Sequence, residues 1–209
     1  MNKICIIFGA GNELPAETLL PENNRMIIAA DGGFRTLNEL GITPDRVIGD
    51  LDSLDKAPGS DNFTLLPHVK DTTDMYEAVQ IGLSECCDEF RIYGGTGGRT
   101  DHTLANIQLA AMLAEKGKKV YIFGSYYVIT AVKNGKIHLE ARKNGYVSVF
   151  AHSDICRGVT IKGLYYETDG ITLKNDFALG VSNEFIGREA DISVEEGILC
   201  VYYETKEQI

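Results

Sequence analysis

The chain has 209 residues, 44% apolar and 24% charged, with a formal charge of -10. That length and balance suit one or two globular domains with a real core and exclude a disordered or fibrous protein. The acidic excess argues against a broad nucleic-acid surface, which needs clustered Lys and Arg, but permits a small anionic substrate wherever carboxylates hold a divalent cation. The cysteines Cys5, Cys86, Cys87, Cys156 and Cys200 form neither a C-x-x-C pair nor a zinc pattern with the four histidines. Reduced thiols and a cytoplasmic location are expected. No apolar run has the length of a signal-peptide core or a membrane span, so no membrane partner is expected.

Short apolar runs at Ile4–Phe8, Met26–Ala30, Arg46–Ile48, Phe90–Tyr93 and Val120–Phe123 read as strands. Between them, Met75, Ala78, Val79, Gly82 and Leu83 recur at helical spacing, as do Leu104, Ile107, Ala111 and Leu113. Strand–helix alternation predicts an α/β domain with a mostly parallel sheet. After about Gly124 the rhythm changes. Ile137–Arg142, Val159–Lys162 and Ile171–Lys174 alternate with period two, and Asn134-Gly135, Asn144-Gly145 and Asp169-Gly170 read as hairpin turns. The second half is therefore expected to be an all-β sandwich or barrel, with domains at residues 1–125 and 126–209.

Each predicted strand of the first half ends in Gly or Asp. In open parallel sheets, ligands bind beyond the carboxyl ends of the strands. Glycines there let a phosphate approach the backbone, and helix N-termini offer amide donors. Carboxylates would repel phosphate unless a hard cation lies between them, and magnesium bridges one or two carboxylates to substrate phosphates.

Four segments carry these acids. Asp31-Gly32-Gly33 reads either as a helix start with tight packing or as part of the site. Asp50 and Asp52, spaced to fall on one side of an extended stretch, could share a cation. Lys70-Asp71-Thr72-Thr73-Asp74 opens a helix that Asp71 or Thr72 could cap. In Gly94–His102, four glycines precede a helix, Arg99 is placed to fork onto a phosphate, and Asp101 either caps the helix or binds metal. No P-loop motif is present, and Gly9-Ala10-Gly11 lacks the third glycine of a dinucleotide fingerprint.

Taken in order, these four segments resemble the motifs of the thiamine pyrophosphokinase family. Gly163–Tyr166 and Gly180–Phe185 resemble its C-terminal motifs, so the resemblance spans nearly the whole chain. It implies a Rossmann-like α/β domain with a C-terminal β-sandwich, and a homodimer with active sites at the subunit interface. It also implies transfer of a pyrophosphoryl group from ATP to thiamine, giving thiamine diphosphate and AMP. The resemblance further assigns magnesium to Asp50, Asp52 and Asp71, and nucleotide binding to Asp31, Gly32, Gly33, Lys70, Asp74 and Arg99. Asp71, Asp101 and Arg99 are the expected catalytic groups, with Asp71 and Asp101 the candidate proton acceptors, and Ser182 and Asn183 mark the thiamine end. Two departures from the family pattern stand out. Leu51 replaces the usual phenylalanine between the acids, and the chain has no Trp, so any stacking on the pyrimidine must use Phe185 or a Tyr. Val47–Ser53 also resembles the aspartate-nucleophile motif of haloacid-dehalogenase-type phosphatases, but that reading leaves Arg99 and Ser182 unexplained.

Overall fold

Strands buried on both faces read as unbroken apolar runs rather than alternating ones, and Ile4–Phe8 is such a run. The structure, a computed structural model, describes residues 3–15, 23–49, 63–65 and 71–205. The expectations for Asp50, Asp52 and Lys70 therefore lie outside the described residues. In chain order the elements are β1 (Ile4–Phe8), β2 (Arg25–Ala30), α1 (Gly33–Glu39), β3 (Arg46–Gly49), β4 (Phe63–Leu65), α2 (Asp74–Ser84), β5 (Glu89–Tyr93), α3 (Thr100–Glu115) and β6 (Lys119–Phe123). Then follow β7 (Tyr127–Lys133), β8 (Lys136–Leu139), β9 (Tyr146–Ala151), β10 (Ile155–Lys162), β11 (Thr168–Lys174), β12 (Gly180–Glu184), β13 (Ala190–Ser193) and β14 (Ile198–Glu204). The protein is mixed α/β, with a large mixed sheet and a second sheet of four antiparallel strands.

Two compact units divide the chain: Met1–Asn106 with Ile122–Ser125, and Ile107–Tyr121 with Tyr126–Ile209. In the first, β5, β1, β2, β3 and β4 lie side by side in parallel. Its core gathers Ile6, Phe8, Ile27, Ala29, Leu37, Val47 and Tyr93. Helix α2 buries Met75, Ala78, Val79 and Gly82, the face its spacing predicts, and begins at a cap where Thr73 Oγ1 accepts from the Tyr76 N–H at 3.2 Å. In α3, Leu104 is 59% exposed. The buried apolar residues there are Leu109, Ala110, Ala111, Leu113 and Ala114, all in the C-terminal half of the helix.

In the second unit β12, β9, β14 and β7 pair antiparallel, and β11, β10, β13 and β8 form the other sheet. Alternate residues of both sheets, among them Val147, Val149, Ile161, Leu173, Ile192, Leu199 and Val201, share one core. Asp169-Gly170, expected as a turn, lies instead within β11, where the pairing with β10 slips and Gly170 takes a φ of +62°. The dipeptide supplies the positive φ of an irregular strand position rather than a chain reversal. Among the described residues no helix is long and apolar enough to cross a membrane.

Candidate active site

The first unit contains a cavity of about 340 Å³ beyond the carboxyl ends of its strands. Gly9, Ala10 and Gly11 line it after β1, Asp31 after β2, and Gly94, Gly95 and Thr96 after β5. Thr73, Asp74 and Met75 line it from the start of α2, and Arg99, His102, Thr103 and Asn106 from the start of α3. Two of these loops are tied together by backbone hydrogen bonds, from Gly9 N–H to the Tyr93 carbonyl at 2.8 Å and from Gly11 N–H to the Gly94 carbonyl at 2.9 Å. Asn106, 6% exposed, donates from Nδ2 to the Gly95 carbonyl at 2.7 Å and fixes the second loop to α3.

The cavity brings together Asp31, Asp74 and Arg99 from three of the sequence segments. Asp31 has a φ of +52°, a left-handed conformation that Asp tolerates better than most residues. Gly32 precedes α1 as its cap and Gly33 opens the helix, buried against β1; neither lines the cavity. Asp71 is exposed and stands two residues before the Thr73 cap, also outside the lining. Asp101 is exposed and accepts from Arg99 at two points, Nε to Oδ1 at 3.1 Å and Nη2 to Oδ2 at 2.5 Å. The guanidinium holds the Asp101 carboxyl below the usual carboxylate range, and the His102 N–H bond adds to this. An ion pair this open to solvent is weakly held, so Arg99 is free to exchange a carboxylate for a phosphate.

Ser182 and Asn183 lie in the second unit, within β12. The pairing of β12 with β9 slips between Gly180 and Asn183, and Ser182 has a φ of +60°, as at a β-bulge. Asn183 is 4% exposed. Its Oδ1 accepts from the Tyr166 and Glu184 N–H groups, each at 2.9 Å, and its Nδ2 donates to the Tyr166 carbonyl at 2.7 Å. This clamp holds an edge-to-face pair, Tyr165 and Tyr166, with ring centroids 4.8 Å apart and both rings mostly exposed. Phe185 belongs to the core, with the Arg142 guanidinium 5.8 Å from its ring centre, whereas Tyr165 and Tyr166 are exposed.

Thr73, Thr96 and Asn106 were not singled out from the sequence. Thr73 carried a signal, a hydroxyl residue directly before a helical run. Asn106 did too: with His102 and Thr103 it makes a polar stripe at helical spacing.

Carboxylate oxygens are donors that a hard divalent cation prefers, and Asp31 and Asp74 line this cavity, a donor chemistry compatible with magnesium. Among the described residues one group of three His, Asp, Glu or Cys side chains is close enough to share an ion, His138, Glu140 and Glu189 in the second unit, all exposed.

The family description "Thiamin pyrophosphokinase, catalytic domain" matches residues 18–122, and "Thiamin pyrophosphokinase, vitamin B1 binding domain" matches residues 135–199. A thiamine pyrophosphokinase of Bacillus subtilis is 29% identical over 204 residues, covering 94% of this chain and 95% of the relative. A crystal structure of the Bacillus subtilis thiamine pyrophosphokinase superposes with a TM-score of 0.87 at 28% identity, covering 98% of this chain and 100% of that one. The enzyme from Geobacillus thermodenitrificans superposes with a TM-score of 0.83 at 27% identity, covering 98% of this chain and 99% of that one. With the catalytic-domain match covering just over half the chain and lying across the cavity's loops from Asp31 to Asn106, this chain belongs to the thiamin pyrophosphokinase family.

Proposed function

We propose that the chain transfers the pyrophosphoryl group of ATP to thiamine, giving thiamine diphosphate and AMP. The observation that carries this reading is one cavity beyond the strand ends that combines glycine loops with Asp31, Asp74 and Arg99, in a chain of this family. The glycine loops admit the triphosphate, and Arg99 leaves Asp101 to fix its orientation. Magnesium, held by Asp50, Asp52 and Asp71 with Asp31 and Asp74 close to the nucleotide, supplies neutralisation of the phosphate charge when bound. Gly32, Gly33 and Lys70 belong to the same nucleotide site in this reading. The hydroxyethyl oxygen of thiamine attacks the β-phosphorus, and the bond from that phosphorus to the α-phosphate oxygen breaks to release AMP. Asp71 and Asp101 are the two candidate acceptors of the hydroxyl proton.

Thiamine binds at the Ser182–Asn183 segment, with its flat aminopyrimidine ring on the Tyr165–Tyr166 pair. Replacing Asn183 by Ala is expected to remove the clamp and raise the KM for thiamine about tenfold, with little change in the KM for ATP. An unchanged thiamine KM would reduce Asn183 to a structural residue. The N-terminal part is read as Rossmann-like and the C-terminal part as a β-sandwich. The working form is read as a cytoplasmic homodimer with active sites at the subunit interface, and five free thiols suit a reducing compartment.

An assay with ATP, magnesium and thiamine, following both products, tests the reaction. Equal amounts of AMP and thiamine diphosphate are expected; ADP with thiamine monophosphate would mean single-phosphate transfer and end the proposal.

A further inference from the structure

Thr96 stands in the middle of the Gly94–Gly98 loop, is 2% exposed and lines the cavity. Its Oγ1 is closed off from solvent and has no hydrogen-bond partner, the one buried side-chain polar atom in that state among the described residues. A hydroxyl in this position has lost its hydration with nothing in exchange, and folded proteins rarely retain such a group without a use for it. Valine has nearly the same shape and would fill the space without that penalty. The surrounding loop is otherwise well bonded: the Gly94 carbonyl accepts from Gly11 and the Gly95 carbonyl from Asn106. The orphan is therefore local to one side chain rather than a sign of a poorly packed loop.

We infer that Thr96 is a nucleotide-binding residue: a turn about χ1 brings its hydroxyl to the cavity wall, where it donates to a phosphoryl oxygen of ATP. The inference rests on the reading that this cavity takes ATP. A hydroxyl donates, phosphoryl oxygens accept, and Arg99 beside the same cavity selects for an anion. The unbonded state then belongs to the free enzyme, and the ligand supplies the missing partner. Thr96 thus destabilises the empty protein and strengthens the complex, so substitution moves stability and binding in opposite directions.

The test uses the full chain, as wild type, T96V and T96S. Melting without ligand is measured, and binding of ATP and of inorganic tripolyphosphate is measured calorimetrically with magnesium. T96V is expected to melt about 2 °C or more above wild type and to bind both ligands about tenfold more weakly. T96S, which keeps the hydroxyl, is expected to restore affinity to within about twofold of wild type. A T96V protein that melts at or below wild type, or binds tripolyphosphate as tightly, overturns the inference. So does a loss confined to ATP, which would assign the hydroxyl to the nucleoside. If wild type itself binds neither ligand, the ATP reading has failed, and the wild-type arm alone reveals it.

Discussion

Asp71→Asn is expected to lower kcat/KM for thiamine diphosphate formation by about 10²–10³-fold while leaving the melting temperature unchanged. The separation of the two readouts follows from the start of α2. An acid ahead of a helix is most simply explained as its cap, but here Thr73 occupies that role and accepts from Tyr76. Thr72 is engaged elsewhere, its hydroxyl 2.5 Å from Glu77 Oε1. Asp71 lies two residues upstream and exposed, so the helix does not need its carboxylate. In the proposed reaction its role is chemical, as a metal ligand and a candidate proton acceptor. The amide keeps the shape and removes the charge, so the deficit should shrink as magnesium is raised if ligation is the larger part. Near-normal turnover at limiting magnesium would remove Asp71 from the site.

The second large effect is on the fold. Gly33→Ala places a Cβ 1.9 Å from the Phe8 carbonyl oxygen and 2.4 Å from its carbon. Both are backbone atoms of a strand paired on each side, so neither can step aside and α1 must move away from β1. Overpacking of this kind costs about 3 kcal/mol or more, a fall in melting temperature of about 6–12 °C for a chain of this size. Gly41→Ala is the natural comparison. Its Cβ meets nothing within 4 Å, but its φ is +68°, so backbone strain of about 1 kcal/mol is expected. If the two variants melted alike, tight helix–strand docking would not be the reason for glycine at position 33. The sequence left Asp31-Gly32-Gly33 between a helix start and a binding loop, and the structure gives its members different duties. Gly33 packs, Gly32 caps, and Asp31 lines the cavity.

Strands β1 and β2 were legible because they are buried and appear as unbroken apolar runs, Ile4–Phe8 being also the observed β1, whereas the three-residue β4 was too short to be read. Helix α2 was legible because its packing face and its spacing coincide. Less of the second half could be read. Asp169-Gly170 and Ser182-Asn183 both have the chemistry of turns, yet both lie in strands whose pairing slips. A residue that tolerates positive φ marks a bulge as well as a turn, and only the partner strand distinguishes them. The cavity was legible as a set of strand ends, since glycine and aspartate there follow from what a phosphate site needs. The inward bonding of Asn183 was not, because its partner, the Tyr166 backbone, is 17 residues away. Nor was the orphan state of Thr96, which depends on what every neighbouring group already bonds.

A crystal structure grown with Mn²⁺ and a non-hydrolysable ATP analogue tests the central claim most directly, since manganese marks its own position by anomalous scattering. The triphosphate is expected in the first-unit cavity against Gly9–Gly11 and Arg99, with the metal held by carboxylates of Asp50, Asp52 and Asp71. A metal bound only at His138, Glu140 and Glu189, or a nucleotide seated elsewhere with Asp71 remote from it, would contradict it.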